Sequence, residues 1–181
     1  MESPLGPFDI VAIDFVGPLE QSADFKYILT MIDMFTHWSI ATPAVNMESV
    51  TVANILLDQL YTKFGAPRIL LTDRGSNFVS HVLDTLYKNL GIDKRQTTAY
   101  HPQSNGMVER FNATVKQSLR CLCAAYPSNW ATKLQGAVAA YNTSRTRPPA
   151  SHHRSLSSVA NFDYRPRHSQ PSTSNPQALT R

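Results

Sequence analysis

The sequence has few cysteines, few charges and no long apolar run, and each shortage excludes a class of protein. Two cysteines, Cys121 and Cys123, stand among 181 residues, and two thiols alone form neither a disulfide framework nor a zinc site. Charged residues make up 17% and apolar residues 42%, a balance typical of a globular domain with a sizeable core. No apolar run approaches the ~18 residues of a membrane span. These features predict a protein without a membrane partner.

The N-terminal segment "MESPLGPFDI" has neither the basic region nor the apolar region of a secretion signal. We therefore expect an intracellular protein. The two glycosylation sequons, at Asn112 and Asn142, are then expected to stay unmodified.

Positive charge is unevenly distributed along the chain. Residues 1–142 carry 11 Lys and Arg against 12 Asp and Glu, whereas residues 143–181 carry six Arg against one Asp. Within the first part, residues 93–133 hold two acids and six basic residues: Lys94, Arg95, Arg110, Lys116, Arg120 and Lys133. Charge alone leaves two interpretations open, a surface for a polyanion or an ordinary solvated face.

Hydrophobic periodicity predicts strands and helices in the order β-β-β-α-β-α-β-α-α. The predicted strands are Phe8–Gly17, Tyr27–Ile32, Trp38–Thr42, Arg68–Asp73 and an edge strand at Lys94–Thr98. The predicted helices are 48–65, 77–91, a helix after Gly106, and 130–143. This order indicates an α/β fold in which helices cover a mixed sheet. The domain is predicted to span 1–147, and the Pro-, Ser- and Arg-rich segment 148–181 is predicted to be disordered.

Two of the helices have a predicted buried face. For helix 77–91 it comprises Phe78, Val82, Leu86 and Leu90. For the helix after Gly106 it comprises Val108, Phe111, Val115, Leu119 and Leu122. On that second helix a different arc carries Lys116 and Arg120, each within about 20° of Glu109.

Three carboxylates lie where secondary-structure elements begin or end. Asp14 interrupts an apolar strand, which is costly unless the charge is paired, metal-bound or accessible. Asp73 ends a strand and is also explained as a turn residue before Gly75. Glu109 begins a helix and is also explained by the helix dipole. Asp33, at the turn between two strands, is interpreted as structural. Acids at such ends converge in many α/β active sites.

Together these residues resemble the catalytic core of retroviral and LTR-retrotransposon integrases of the D,D-35-E type. Thirty-five residues separate Asp73 from Glu109, the spacing for which the family is named. The phrases "IDFVGPL", "LTDRGSNFVS", "YHPQSNGMVERFN" and "AAYNTSR" resemble the family's motifs, most closely those of Ty3/gypsy-type elements. The resemblance covers about residues 7–147.

The resemblance implies a ribonuclease-H-like fold, with a mixed five-stranded sheet flanked by helices, and a polynucleotidyl transferase and endonuclease acting on DNA. It implies that Asp14 bridges two Mg²⁺ or Mn²⁺ ions, with Asp73 holding one ion and Glu109 the other, and ligands of this kind suit Mg²⁺. Water would cut the DNA and a DNA 3′-hydroxyl would then attack a target strand. Neither a nucleophilic side chain nor a small-molecule substrate is implied.

The resemblance also assigns DNA contacts. Lys116 and Arg120 would contact phosphates, Tyr100, Gln103 and Asn105 would lie on a flexible loop near the DNA end, and Asn112 would occupy a polar position one turn after Glu109. Family cores are commonly homodimers, so a homodimer through the core is expected. Nuclear location is expected from the DNA substrate.

The sequence departs from the family outside the core. The family's N-terminal His-His-Cys-Cys zinc domain and its C-terminal DNA-binding domain are not in this sequence, and "FDYRPR" resembles a worn remnant of the phrase that usually follows "YNTSR". This suggests a fragment, a decayed copy or a truncated gene. The alternative is therefore a decayed or domesticated core that binds nucleic acid or dimerises without turnover. A ribonuclease-H-like nuclease acting on RNA–DNA hybrids shares the fold but not these phrases.

Overall fold

A mixed five-stranded sheet forms the centre of the chain in the computed structural model, which describes residues 2–73, 75–96 and 102–146. The strands are β1 (Ile10–Val16), β2 (Tyr27–Asp33), β3 (Ser39–Ala44), β4 (Ile69–Thr72) and β5 (Asp93–Gln96). Their spatial order is β3-β2-β1-β4-β5. Strands β1 to β3 pair antiparallel, whereas β1, β4 and β5 pair parallel. The predicted mixed sheet with β5 at one edge is confirmed.

Helices connect and cover these strands. They are α1 (Ser49–Leu56), α2 (Thr62–Phe64), α3 (His81–Leu90), α4 (Pro102–Leu122) and α5 (Trp130–Thr146). A π-helical turn, Leu57–Tyr61, joins α1 to α2, and the segment ends at Gly65 with a φ of 85°, as the glycine there predicts. None of the described helices is long and apolar enough to cross a membrane.

Apolar residues of β1 alternate between two buried layers because successive strand residues face opposite sides of the sheet. Ile10 and Ala12 pack with the buried residues of α4 and α5. Val11 and Ile13 pack with those of α1 and α3. The sheet therefore separates two cores, and α4 and α5 share one of them.

The buried face of α3 differs from the predicted one. Leu83 and Tyr87 are buried, whereas Val82 and Leu90 are 47% and 38% exposed. Ser80 caps the helix by accepting a hydrogen bond from Leu83 N. The helical register therefore begins after Phe78, which lies in a separate 3₁₀ turn, Ser76–Phe78. Phe78 and Leu86 pack into the core as predicted, whereas the prediction was wrong for Val82 and Leu90 because it carried one helical register through that turn.

Helix α4 largely follows its predicted face, with two corrections. Val108, Phe111, Val115 and Leu119 are buried as predicted, but Leu122 is 54% exposed and Cys123 is buried instead. Leu122 is the last residue of the helix, so it still follows the 100° spacing, but at this end of the helix its side chain is not covered by a neighbouring element. The helix also starts at Pro102, which is well suited to a first helical position. The loop predicted up to Gly106 was therefore wrong over 102–106.

Side-chain amides of α5 bond to the outer edge of β3. Asn142 Oδ1 accepts from Ser39 N at 3.0 Å, and Asn142 Nδ2 donates to Ser39 O at 2.9 Å. Gln135 Nε2 donates to Ala41 O at 2.9 Å. These bonds satisfy backbone groups that an edge strand would otherwise expose.

The turn between β2 and β3 explains Asp33, which is 1% exposed. Its carboxylate accepts hydrogen bonds from the backbone N–H groups of Phe8 at 2.9 Å and Thr36 at 2.8 Å. The structural interpretation of Asp33 is confirmed. The predicted disordered segment, 148–181, lies outside the described residues.

Candidate active site

Parallel pairing of β1 and β4 places two of the predicted acids side by side. The register pairs Ile10 with Ile69 and Ala12 with Leu71. Continuing this register by two residues sets Asp14 opposite Asp73. Because the carboxyl ends of parallel strands meet at one edge of a sheet, both side chains lie at the edge where ligands bind in open α/β folds.

The Asp73 carboxylate is held by the backbone two residues later. Its Oδ1 accepts a hydrogen bond from Gly75 N at 2.9 Å. A Cβ at position 75 would lie 2.9 Å from the same oxygen, closer than real Cβ contacts. Glycine is therefore needed for this approach. Among the described residues, Asp73 Oδ2 makes no hydrogen bond, which leaves it available to a ligand.

The Asp14 carboxylate is held by helix α4. Asn112 Nδ2 donates to Asp14 Oδ2 at 2.8 Å, and Asn112 is only 7% exposed. The other amide atom, Asn112 Oδ1, is buried and has no hydrogen-bond partner within the described part of the chain. An orphaned oxygen of this kind is unusual, and here it belongs to the same amide group as the nitrogen that holds Asp14.

Burial raises the pKa of Asp14, and the charges of Asp73 and Glu109 raise it further. The Phe15 backbone and the Asn112 amide oppose this rise by stabilising the carboxylate. Burial is the largest of these causes, because it disfavours the charged form of the carboxyl, and the two neighbouring acids add to it. A bound cation would favour the carboxylate and so oppose both effects.

Helix α4 positions the third acid. Glu109 is exposed and precedes Asn112 by three residues, so the two lie on neighbouring positions of one helical face. Asp14, Asp73 and Glu109 thus interact electrostatically, as Asp14's pKa shows. Within the described ranges, however, no three His, Cys, Asp or Glu side chains converge closely enough to hold a metal ion. The assignment of the three acids as metal ligands stays a prediction.

The residues predicted to contact DNA are spread along α4 and the segment before it. Lys116 and Arg120 are exposed and lie roughly 10 Å and 16 Å along the helix axis from Glu109, at 1.5 Å per residue. Gln103 and Asn105 lie in the first turns of α4. Tyr100 lies outside the described residues. Asn112 is buried against Asp14 rather than displayed on the surface, so a DNA contact by Asn112 stays a prediction.

The basic residues of 93–133 do not form one surface. Arg95 pairs with Asp93 at 2.6 Å and with Glu2 at 3.1 Å, and the Lys94 ammonium donates to the Phe78 carbonyl. The remaining four are exposed on α4 and α5: Arg110, Lys116, Arg120 and Lys133. These four are available to a polyanion.

Contacts next to the acids were not apparent from the sequence. The rings of Phe15 and Phe78 stack with centroids 5.6 Å apart and an angle of 21° between their planes. Phe15 follows Asp14 by one residue, and Phe78 follows Asp73 by five. Asn112 as the partner of Asp14 was also missed, although its place one turn after Glu109 was a usable signal.

Comparisons with known proteins agree with this architecture. A family model described as "Integrase core domain" matches residues 4–102, and a second model with the same description matches residues 90–157. The Pol polyprotein of Radiation murine leukemia virus (strain Kaplan) is 40% identical over 62% of the chain, and the Pro-Pol polyprotein of Simian foamy virus type 3 is 34% identical over 79%. The Retrovirus-related Pol polyprotein from transposon 412 of Drosophila melanogaster is 31% identical over 80%.

These relatives are much longer than the chain. The matched region spans 19% of the murine leukemia virus polyprotein and 12% of each of the other two. The chain therefore corresponds to one segment of such a polyprotein.

Solved structures show the same fold. The catalytic core domain of BIV integrase superposes with a TM-score of 0.63 at 23% identity, covering 80% of this chain and 89% of that one. The HTLV-2 integrase catalytic core domain in complex with magnesium, in a trimeric form, gives a TM-score of 0.61 at 20% identity, covering 75% and 86%. The ribonuclease-H-like fold implied by the sequence is confirmed.

Proposed function

Because the chain belongs to the integrase core domain family, whose model matches more than half of its length, we propose that it catalyses divalent-metal-dependent cleavage and strand transfer of DNA. The observation that carries this proposal is the set of three acids. Asp14 lies in β1 and Asp73 directly follows β4, the strand that pairs parallel with β1, and the charges of Asp73 and Glu109 raise the pKa of Asp14.

The donor set fits Mg²⁺ or Mn²⁺. All three side chains offer anionic oxygens, which hard divalent cations prefer. Burial and the neighbouring acids raise the pKa of Asp14, and a bound cation would offset both by stabilising the carboxylate. We propose that Asp14, Asp73 and Glu109 would hold the divalent metal. When bound, the metal polarises the phosphodiester and lowers the pKa of the attacking water or 3′-hydroxyl.

The chain's own residues orient this chemistry. Asn112 holds one oxygen of Asp14, and the Gly75 N–H holds one oxygen of Asp73. Each carboxylate thus has its orientation fixed before substrate arrives, which limits the reorganisation required in the reaction. Lys116 and Arg120, exposed on the same helix as Glu109, would neutralise DNA phosphates and set the duplex against the acids.

The first experiment tests turnover. The purified chain is incubated with Mn²⁺ and a branched DNA that mimics a strand-transfer product, and reversal of strand transfer is followed on a gel. We expect product from the wild-type chain and its loss in Glu109→Gln, which preserves shape but removes the charge. The matched control is Glu20→Gln, at an exposed acid on another part of the surface. Equal activity in Glu109→Gln would contradict the proposal.

The second experiment tests the DNA surface. Affinity for duplex DNA is measured as a function of salt in Lys116→Ala and Arg120→Ala, with the exposed Lys88→Ala on α3 as control. Removing one phosphate contact should lower the slope of log affinity against log salt by about 1. An unchanged slope in both α4 variants would exclude them as phosphate contacts.

A binding module without turnover is the second candidate. It is favoured by the absence, within the described residues, of three side chains that converge on a metal position. In that case DNA binding would require Lys116 and Arg120 but would be insensitive to chelation of divalent metal. For either candidate we propose that the core forms a homodimer, which analytical sedimentation tests. We also propose a nuclear location, which a fluorescent fusion tests.

A further inference from the structure

A chain of hydrogen bonds connects Asp73 to a lysine on the neighbouring strand. Asp73 Oδ1 accepts from Gly75 N at 2.9 Å. Gly75 O accepts from Phe78 N at 3.2 Å. Phe78 O accepts from the ammonium group of Lys94, in β5. All three hydrogen bonds involve backbone groups of Gly75 or Phe78. A change at Lys94 can therefore reach Asp73 through these two residues.

Lys94 is well placed to anchor one end of this series of hydrogen bonds. It is half-buried, its ammonium lies 6.0 Å from the centroid of the Tyr87 ring, and Tyr87 is 3% exposed. In the β-sheet Lys94 pairs with Leu70, a fully buried residue of β4. A cation that bonds to a carbonyl and lies over an aromatic ring has little freedom to move.

The opposite side of the segment is held by packing. The Phe78 ring is 1% exposed and stacks on Phe15, the residue after Asp14. Phe78 is thus fixed by its ring on the β1 side and by its carbonyl on the β5 side. The ring contact sets where Phe78 lies, and the lysine sets the direction of the Phe78 carbonyl. The adjacent peptide group, which shares the Phe78 Cα, carries the Phe78 N–H that donates to Gly75 O.

We propose that Lys94 is a positioning residue that orients the Asp73 carboxylate for metal binding, acting through Phe78 and Gly75. This rests on the proposed function, because it assumes that Asp73 is a ligand. Residues that orient metal ligands through hydrogen bonds typically change metal affinity 10- to 100-fold when replaced. Lys94 acts through two intervening residues, Phe78 and Gly75. We therefore expect its replacement to change metal affinity about tenfold, at the lower end of that range.

The test is a calorimetric titration of the folded chain with Mn²⁺. Lys94→Met removes the ammonium but keeps most of the side-chain length, and it should raise the Mn²⁺ dissociation constant about tenfold. Lys94→Arg retains a cationic donor and should restore most of the affinity. Lys88→Met, at an exposed lysine of α3, is the matched control and should bind as the wild type does.

Hydrogen exchange gives a readout that does not depend on metal. In Lys94→Met the amides of Gly75 and Phe78 should exchange faster than in the wild type, while amides of β1 keep their protection. If Lys94→Met does not fold, Lys94→Gln replaces it, since a shorter neutral side chain suits a half-buried position. Unchanged exchange and unchanged Mn²⁺ affinity in a folded variant would overturn the proposal.

Failure of the two proposals can be told apart. A wild-type chain that does not bind Mn²⁺ contradicts the proposed function, whatever Lys94→Met does. A wild-type chain that binds Mn²⁺ through Asp73, with Lys94→Met binding equally well, contradicts only the role of Lys94.

Discussion

Replacing Asp14 by asparagine should stabilise the chain in the absence of divalent metal and prevent stabilisation by metal. Asp14 lies in β1 and Asp73 directly follows the neighbouring strand β4. Neighbouring strands lie about 4.8 Å apart, and we take a slightly larger separation of about 6 Å between the two carboxylates. At that distance two charges repel by roughly 0.7 kcal/mol in water and 2.8 kcal/mol at an effective dielectric constant of 20. Asp73 is exposed, which favours the lower part of this range.

The substitution also weakens one hydrogen bond. Asn112 Nδ2 would donate to a neutral amide oxygen instead of a carboxylate, a loss of about 1 kcal/mol. The neutral side chain also avoids the cost of burying a charge and the repulsion by Glu109. Both effects add to the stability of the variant. We expect a net stabilisation of about 1 kcal/mol, or about 3 °C in melting temperature for a domain of this size.

The assay is thermal unfolding of wild type and Asp14→Asn, with chelator and with Mn²⁺. At a metal concentration of 100 times the dissociation constant, the wild type should gain about 2.7 kcal/mol, so the order of stability reverses. A variant that melts below the wild type in chelator, or that gains as much from Mn²⁺, would refute the reasoning.

The stability difference should also depend on pH. The pKa of Asp14 is raised in the folded state, so the folded chain holds this proton more tightly than the unfolded chain does. The stability that this proton contributes to the folded chain is fully present below the ordinary aspartate pKa, and it is lost as pH rises through the raised pKa. The advantage of Asp14→Asn in chelator should therefore vanish in acid and grow toward neutral pH.

Three further substitutions test the fold around the site. Gly17→Ala should destabilise the chain by about 2 kcal/mol, because Gly17 has a φ of 138° and a Cβ would lie 2.8 Å from a ring carbon of Tyr27. Gly136→Ala, where a Cβ meets nothing within 4 Å, should instead stabilise α5 by about 0.5–1 kcal/mol. Asn142→Ala should cost about 2–4 kcal/mol, because it leaves both backbone groups of Ser39 without their amide partner. Chemical denaturation measures all three, and a Gly17→Ala variant as stable as Gly136→Ala, or a neutral Asn142→Ala, would contradict these contacts.

The sheet and the location of the acids were predictable because each depends on local sequence. The apolar run around Asp14 has the composition of a buried strand, and the acid interrupts it. The segment before Asp73 is short, apolar and followed by a glycine. Such signals depend on neighbours in the chain, so the order of the elements along the chain and the placement of the two acids at strand ends could be predicted. The spatial order of the strands, β3-β2-β1-β4-β5, was not predicted.

Contacts between distant residues were not predictable in this way. Lys94 follows Phe78 by 16 residues, and its charge suggested a nucleic-acid surface rather than a bond to a carbonyl. Arg95 was counted in the same basic surface, although its guanidinium pairs with Glu2 near the N-terminus. A charge count adds such residues together, whereas the fold separates them.

Errors in the helices arose where a helix begins or ends. Val82 and Leu122 were predicted to be buried from their spacing, yet both are exposed. Ser80 restarts the register of α3, and α4 ends at Leu122. Both residues lie in the first or last turn of their helix. Periodicity groups residues on one face, but burial also requires a neighbouring element to cover that face, and this is least assured at a helix end.

The most direct test of the account is whether one divalent-metal site requires all three acids. Mn²⁺ binding is measured by calorimetry in the wild type and in Asp14→Asn, Asp73→Asn and Glu109→Gln, each shown to be folded by circular dichroism. The account predicts saturable binding by the wild type and a loss of affinity in each variant. Equal Mn²⁺ affinity in Asp73→Asn, or no binding by a folded wild-type chain, would contradict it.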